Sequence, residues 1–270
     1  MAFPTTKIEQ HEVSRMICGS NTFNGFSHFS AARDRWLRDY FTTERVVEVM
    51  ARCAEQGLNA LVSGTVQKMY DAMQSLERQT GWHMKWFCTP SGDTEKELLE
   101  GIHWAADHGA EFCLPHTCYT DTRLIPAENR IAEIEKPIAL IRKLGMIPGL
   151  STHRPEAITV GDKAGYDLQV YIQPFNPAGF LCGVETDWMA KIIQNTPKTV
   201  LCIKALAAGR VMPPTGIPFV YNNIKDNDIL AVGFLNPGEV DEDVAIGLGA
   251  ITAAAARREL TYSRSKQIFK

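Results

Sequence analysis

The chain has 270 residues, 45% hydrophobic and 22% charged, with a formal net charge of −3. These are the proportions of a globular protein long enough to bury a large core. The small net charge argues against nucleic acid or an anionic membrane as a partner, and no apolar run approaches the roughly 20 residues of a membrane helix. Met1 to Lys7 lacks a basic-then-apolar leader pattern, so a cytoplasmic location is expected.

In chain order, short β-like runs alternate with longer helix-like segments. The runs are Val13–Gly19, Leu58–Ser63, Met84–Cys88, Glu111–His116, Met146–Ser151, Asp167–Gln173, Thr199–Ala205 and Ile229–Phe234. The intervening helices are expected near Thr43–Gln56, Val66–Gln79, Ser91–His108, Ala127–Leu144 (with a kink at Pro137), from Pro155, near Asp187–Gln194, near Pro218–Ile224, and from Pro237 through the Ala-rich Ala250–Arg258. Thr94 and Glu97 have the spacing of a capping box, and Leu98, Ile102 and Ala105 form that helix's apolar stripe. Strands that are apolar on both faces and alternate with helices predict a parallel sheet with crossover helices. The number of units and the length predict closure into a single-domain (β/α)8 TIM barrel over residues 1–270. No GxGxxG motif follows the first run, which weakens the competing open dinucleotide-binding sheet.

The seven cysteines, Cys18, Cys53, Cys88, Cys113, Cys118, Cys182 and Cys202, form no CxxC pair and lie mostly in apolar segments. They read as reduced, buried thiols. Trp82, Trp86, Trp104 and Trp188 read as packing residues, with Trp36 in the first loop as the exception to check.

In such a barrel the active site opens at the C-terminal ends of the strands. Polar residues there are Asn21 and His28 after the first strand, Ser63, Thr89, His116 with Asp121, Ser151 with His153, Gln173 with Asn176, Lys204 with Arg210, and Asn236. His116 and His153 are candidates for proton transfer near neutral pH. Lys204 follows four apolar residues, where desolvation makes an amine a base or nucleophile. Asn21, His28, Ser63, Thr89, Gln173, Asn176 and Arg210 are candidates for substrate binding. The turn Ala207–Arg210 is a candidate anion cradle. His28, His116 and His153 could together hold a divalent metal.

Several of these segments carry a family resemblance that covers most of the chain. Glu111–His116 resembles the fourth strand of the aldo/keto reductases, which ends in their catalytic histidine. Gly149–Ile158 is similar to their fifth-strand turn, and Gln173–Asn176 to a segment whose glutamine contacts the nicotinamide. Lys204–Gly209 resembles their seventh-strand turn, with lysine replacing a common serine, and Gly233–Val244 is similar to the segment after the eighth strand. The resemblance implies the same barrel. It also implies departures from the reaction. Ser63 stands in the place of the tetrad aspartate, Tyr70 lies past the tyrosine position, and Cys88-Thr89-Pro90 replaces the lysine. Glu239, Asp241 and Glu242 stand where basic residues would grip the NADP phosphate.

The expectation is therefore a non-redox enzyme of lyase, aldolase or isomerase type acting on a small polar carbohydrate or keto acid, with His116 and Lys204 in its chemistry. An atypical NADPH-dependent reductase, a metal-dependent lyase or epimerase, and a non-catalytic binding protein are the alternatives. Self-association into a homo-oligomer would suit this fold.

Overall fold

A two-stranded hairpin, β1 (Thr5–Ile8) and β2 (His11–Ser14), pairs antiparallel ahead of the barrel. The computed structural model describes residues 3–268, and for residues 256–268 only the course of the helix. The chain continues as β3 (Met16–Gly19), α1 (Ala31–Tyr40), α2 (Thr43–Glu55), β4 (Ala60–Ser63), α3 (Gln67–Thr80), β5 (Lys85–Cys88), α4 (Glu95–Asp107) and β6 (Phe112–Cys113). Next come α5 (Thr117–Thr120), a hairpin of β7 (Leu124–Ile125) and β8 (Arg130–Ile131), α6 (Glu135–Lys143), β9 (Ile147–Ser151), α7 (Glu156–Ala164) and β10 (Val170–Pro174). The last elements are α8 (Thr186–Asn195), β11 (Thr199–Ile203), α9 (Pro213–Asn223), β12 (Ile229–Gly233) and α10 (Pro237–Ile268). Eight strands close into a parallel barrel in the order β3-β4-β5-β6-β9-β10-β11-β12, with β12 returning to β3.

Two apolar layers follow from the pleat. Ile17, Ala60, Phe87, Phe112, Leu114, Ile147, Val170, Ile172, Leu201, Ile229 and Ala231 fill the barrel interior. Phe87 and Phe112 stack there with ring centroids 4.0 Å apart. Ile8 and Val13 of the hairpin join this interior cluster, so the hairpin plugs the floor. Their neighbours in sequence, such as Cys18, Leu61, Trp86, Tyr171, Val200, Cys202 and Leu230, face the helices instead. Both faces of each strand are thus buried, which is why the strand sequences show no polar alternation. Gly149 in β9 is dictated by space: a β-carbon there would come within 2.4 Å of the Val170 carbonyl oxygen.

All eight predicted barrel strands are present, and four differences stand out. The first run divides at Arg15, whose N–H bonds to Pro4 O and whose guanidinium reaches Lys225 O and Asp228 O, so its first residues belong to the plug. Residues 127–134 hold the end of a short turn (Pro126–Glu128) and β8 of the β7–β8 hairpin rather than the start of a helix. α6 begins at Glu135, so Pro137 lies in its first turn and kinks nothing. The helix α1 was not read from sequence, since its polar, weakly apolar surface offers only Leu37 to the core. Trp188 is 58% exposed rather than packed. The Thr94–Glu97 capping box forms as expected, and all seven cysteines are free, six of them buried.

Candidate active site

The pleat decides which strand-end residues face the barrel mouth. Phe112 and Leu114 point inward, and the ladder continues past β6 through Leu114 N–H to Cys88 O and His116 N–H to Pro90 O. His116 therefore inherits the inward face. Its Nδ1 accepts the Cys118 N–H at 3.3 Å, which puts the proton of the neutral ring on Nε2. Burial lowers its pKa, opposed by Asp121 and reinforced by the charge of Lys204.

Lys204 has the opposite parity. In β11, Val200 and Cys202 face the helices, and a regular strand would send residue 204 the same way. Instead Lys204 sits at φ +63°, in the left-handed region, and the chain turns its side chain towards the mouth. There its Nζ lies 2.9 Å from His28 Nε2. His28 is itself left-handed at φ +51°, and Ala207 and Ala208 at φ +47° and +56° follow in the same turn. Each such residue costs about 1–3 kcal/mol, and strain of this kind collects where function holds it. Desolvation pushes the Lys204 amine down to about 8 from 10.5.

His153 follows β9 and is pushed down to about 4, by burial first and then by the charge of Lys204, with Asp121 opposing. His28 is also lowered, by burial and then by Lys204. Near neutral pH the mouth thus holds one titrating amine among three uncharged imidazoles. Asp121 ties this wall together. Its carboxylate accepts the hydroxyls of Thr117 and Thr152 and, at 2.9 Å, the His153 N–H. Thr117 and Thr152 were not singled out from sequence. Only a hydroxyl next to a candidate histidine could have suggested Thr152.

Arg210 spans three loops. It donates to Ala207 O at 3.0 Å and His28 O at 3.3 Å, and its guanidinium lies 4.6 Å from the Phe180 ring centroid. Much of the expected amide cradle beside it is spent internally. The N–H groups of Ala207, Gly209, Arg210 and Val211 all bond to carbonyls inside the turn. Thr89 and Ser151 share the inward face and are 8% and 5% exposed. Asn21 lies exposed in the loop after β3.

Three expected binding residues do other work. Ser63 lies on the helix-facing side of β4 with Leu61; it donates to Gly64 O and accepts the Trp86 indole N–H at 3.1 Å. Gln173, paired in register with Cys202, also faces the helices, and its buried Oε1 has no partner. Asn176 is fully buried and closes its own loop through Phe180 N–H and O. Asn236 caps α10 through Glu239 N–H. The three-histidine metal site is not assembled either. Among the described residues no three His, Cys, Asp or Glu side chains converge to hold a metal ion, and His28 Nε2 is engaged by the lysine amine.

No protein-family model and no curated protein matches the sequence. Solved structures do match. A Pseudomonas aeruginosa protein assigned to the aldo-keto reductases aligns at TM-score 0.66 and 16% identity, over 92% of this chain and 95% of that one. A Gox0644 variant in complex with NADPH aligns at 0.60 and 13%, over 94% of each chain. The fold is an aldo/keto reductase-like (β/α)8 barrel. A dihydrodipicolinate synthase also aligns, at TM-score 0.52 and 14% identity, over 82% of this chain and 74% of that one. At such identities the likeness is one of fold, and function must be argued from the site.

The NADPH that this fold family implies does not fit the residues present. Where α10 begins, the Glu239 carboxylate accepts the Leu235 N–H at 2.7 Å. Asp243 behind it is pushed up to about 7 by burial and by the charges of Glu239 and Glu242. A phosphate placed there would meet carboxylates, not cations. Tyr70 lies on α3 against His108 in the helical layer, 4.7 Å between ring centroids.

Proposed function

We propose that the protein is a carbonyl lyase or aldolase that works through an imine on Lys204. The observation that carries this reading is the left-handed turn that brings the desolvated Lys204 amine into the mouth against His28. With its amine near 8, about a tenth of Lys204 is unprotonated and nucleophilic at pH 7. The amine nitrogen attacks the substrate carbonyl carbon. Two proton transfers then release the oxygen as water and leave an iminium. In a retro-aldol step a base removes the β-hydroxyl proton, the bond between the α- and β-carbons breaks, and its electron pair moves into the enamine. Reprotonation at carbon and hydrolysis return the amine and release the second fragment. His116, with its proton on Nε2, and the neutral His153 are the groups placed to move those protons.

Borohydride reduction in the presence of small carbonyl compounds tests this. A mass increase localised to Lys204, absent in Lys204→Met, is expected. An unmodified Lys204 with every carbonyl would remove the imine. Nicotinamide-dependent reduction is the second reading, favoured by the solved neighbours. A flat fluorescence titration with NADPH and NADH would end it, whereas tight binding would displace the lyase reading. If the mouth binds without catalysing, His116→Gln and Lys204→Met should leave ligand affinity intact.

A further inference from the structure

The charges at the mouth do not balance locally. Lys204 has one polar partner among the described residues, the neutral nitrogen of His28, and no carboxylate within ion-pair distance. Arg210 donates only to carbonyl oxygens and stacks on Phe180. Both cations thus bracket His28. Two carboxylates act on the mouth histidines through charge, but neither forms an ion pair with Lys204 or Arg210 among the described residues. Asp121 is held by Thr117, Thr152 and the His153 N–H, and Asp34 accepts the N–H and hydroxyl of Ser27. Opposite His28 the ring of Phe180 stands edge-on at 6.2 Å, giving the corner one apolar wall. Two cations beside an apolar wall, neither of them in an ion pair among the described residues, favour an anion between them.

We propose that the ligand of this mouth is a 2-oxo carboxylate, whose carboxylate supplies the counter-charge missing from the Lys204–His28–Arg210 corner. The 2-oxo group rests on the imine chemistry proposed above; the carboxylate rests on the charge arrangement alone. A carboxylate is favoured over a phosphate because the turn after β11 spends the amides of Ala207, Gly209, Arg210 and Val211 on its own carbonyls. Those four N–H groups are thus not offered to a tetrahedral anion. The remaining guanidinium N–H groups of Arg210 suit a planar, two-oxygen acceptor.

The test is calorimetric titration of the full chain with pyruvate, with pyruvamide as its neutral counterpart, and with inorganic phosphate. Pyruvate should bind about tenfold or more tightly than pyruvamide, and added salt should narrow the gap. Arg210→Gln should abolish the difference and Arg210→Lys should restore part of it. Unfolding midpoints of both variants check that the loops remain folded. Lys204→Met should keep the Arg210-dependent preference while losing borohydride trapping. Equal binding of pyruvate and pyruvamide, no binding of pyruvate at millimolar concentration, or tighter binding of phosphate each overturns the proposal. The two readings fail separately. Neutral carbonyls trapped as readily as pyruvate leave the imine standing without the carboxylate. Pyruvate bound through Arg210 but never trapped leaves the carboxylate standing without the imine.

Discussion

The floor of the barrel and the Lys204–Arg210 corner of its mouth treat their charges in opposite ways. At the floor, every cation described above has a carboxylate or a set of carbonyls. Lys225 Nζ lies 2.8 Å from Asp228, which also accepts the Val200 and Lys225 N–H groups at 2.8 Å each. Arg142 forks onto both Glu9 and Asp167, and His83 Nε2 sits 2.6 Å from Glu111. At the mouth, Lys204 faces an imidazole and Arg210 faces carbonyls and a ring. The buried Lys225–Asp228 cluster, with its pairing complete, holds the structure in register. An amine kept from its counter-ion is held ready for a ligand. Within one fold, the floor pairs its cations and this corner of the mouth leaves two without carboxylate partners among the described residues.

That contrast can be broken by substitution. The largest effect belongs to Lys204→Met. It should lower turnover of a trapped carbonyl substrate by about a thousandfold in steady-state assays, while the urea midpoint holds or rises. Asp228→Ala should do the reverse. It strands two buried N–H groups and the Lys225 ammonium, costing about 3 kcal/mol in urea unfolding, with borohydride trapping per folded molecule unchanged. Gly216→Ala lies between them. Its β-carbon would come within 2.5 Å of Ala205 O, next to Lys204, so about 1–3 kcal/mol of stability and part of the trapping rate should go together.

Two pH effects sharpen the comparison. Lys204 titrates near 8 in the folded chain and near 10.5 when unfolded. Between those values the unfolded chain binds the extra proton, so stability should rise with pH, and Lys204→Met should flatten that rise. The trapping rate should climb through the same midpoint near 8. His153 gives the smaller, acid-side effect. Its folded value near 4 lies below 6.5, so its share of stability is complete above 6.5 and is lost as pH falls towards 4. His153→Gln should remove that part of the acid limb in a series of thermal melts.

The barrel was legible because each strand is an apolar run bounded by helix signals, which also places His116, His153 and Lys204 just past strand ends and His28 in the loop after β3. The facing of Ser63 and Gln173 was not legible. A strand buried on both sides shows no alternation, and a parity error of one residue moves a side chain from the mouth to the helical layer. Lys204 reaches the mouth because a backbone conformation, which sequence did not signal, reverses its parity. The floor hairpin was hidden because its second strand runs into the first barrel strand with Arg15 alone between them.

The left-handed backbone at residue 204 bears on how this protein changes over time. Glycine adopts that conformation without strain. Lys204→Gly should therefore give a barrel that is more stable and chemically silent. Selection for folding alone would favour that exchange, since most chains sit close to the stability they need. A descendant lineage with glycine at this position would mark a barrel released from its chemistry, and a lineage that keeps lysine against that gradient would mark one still held to it.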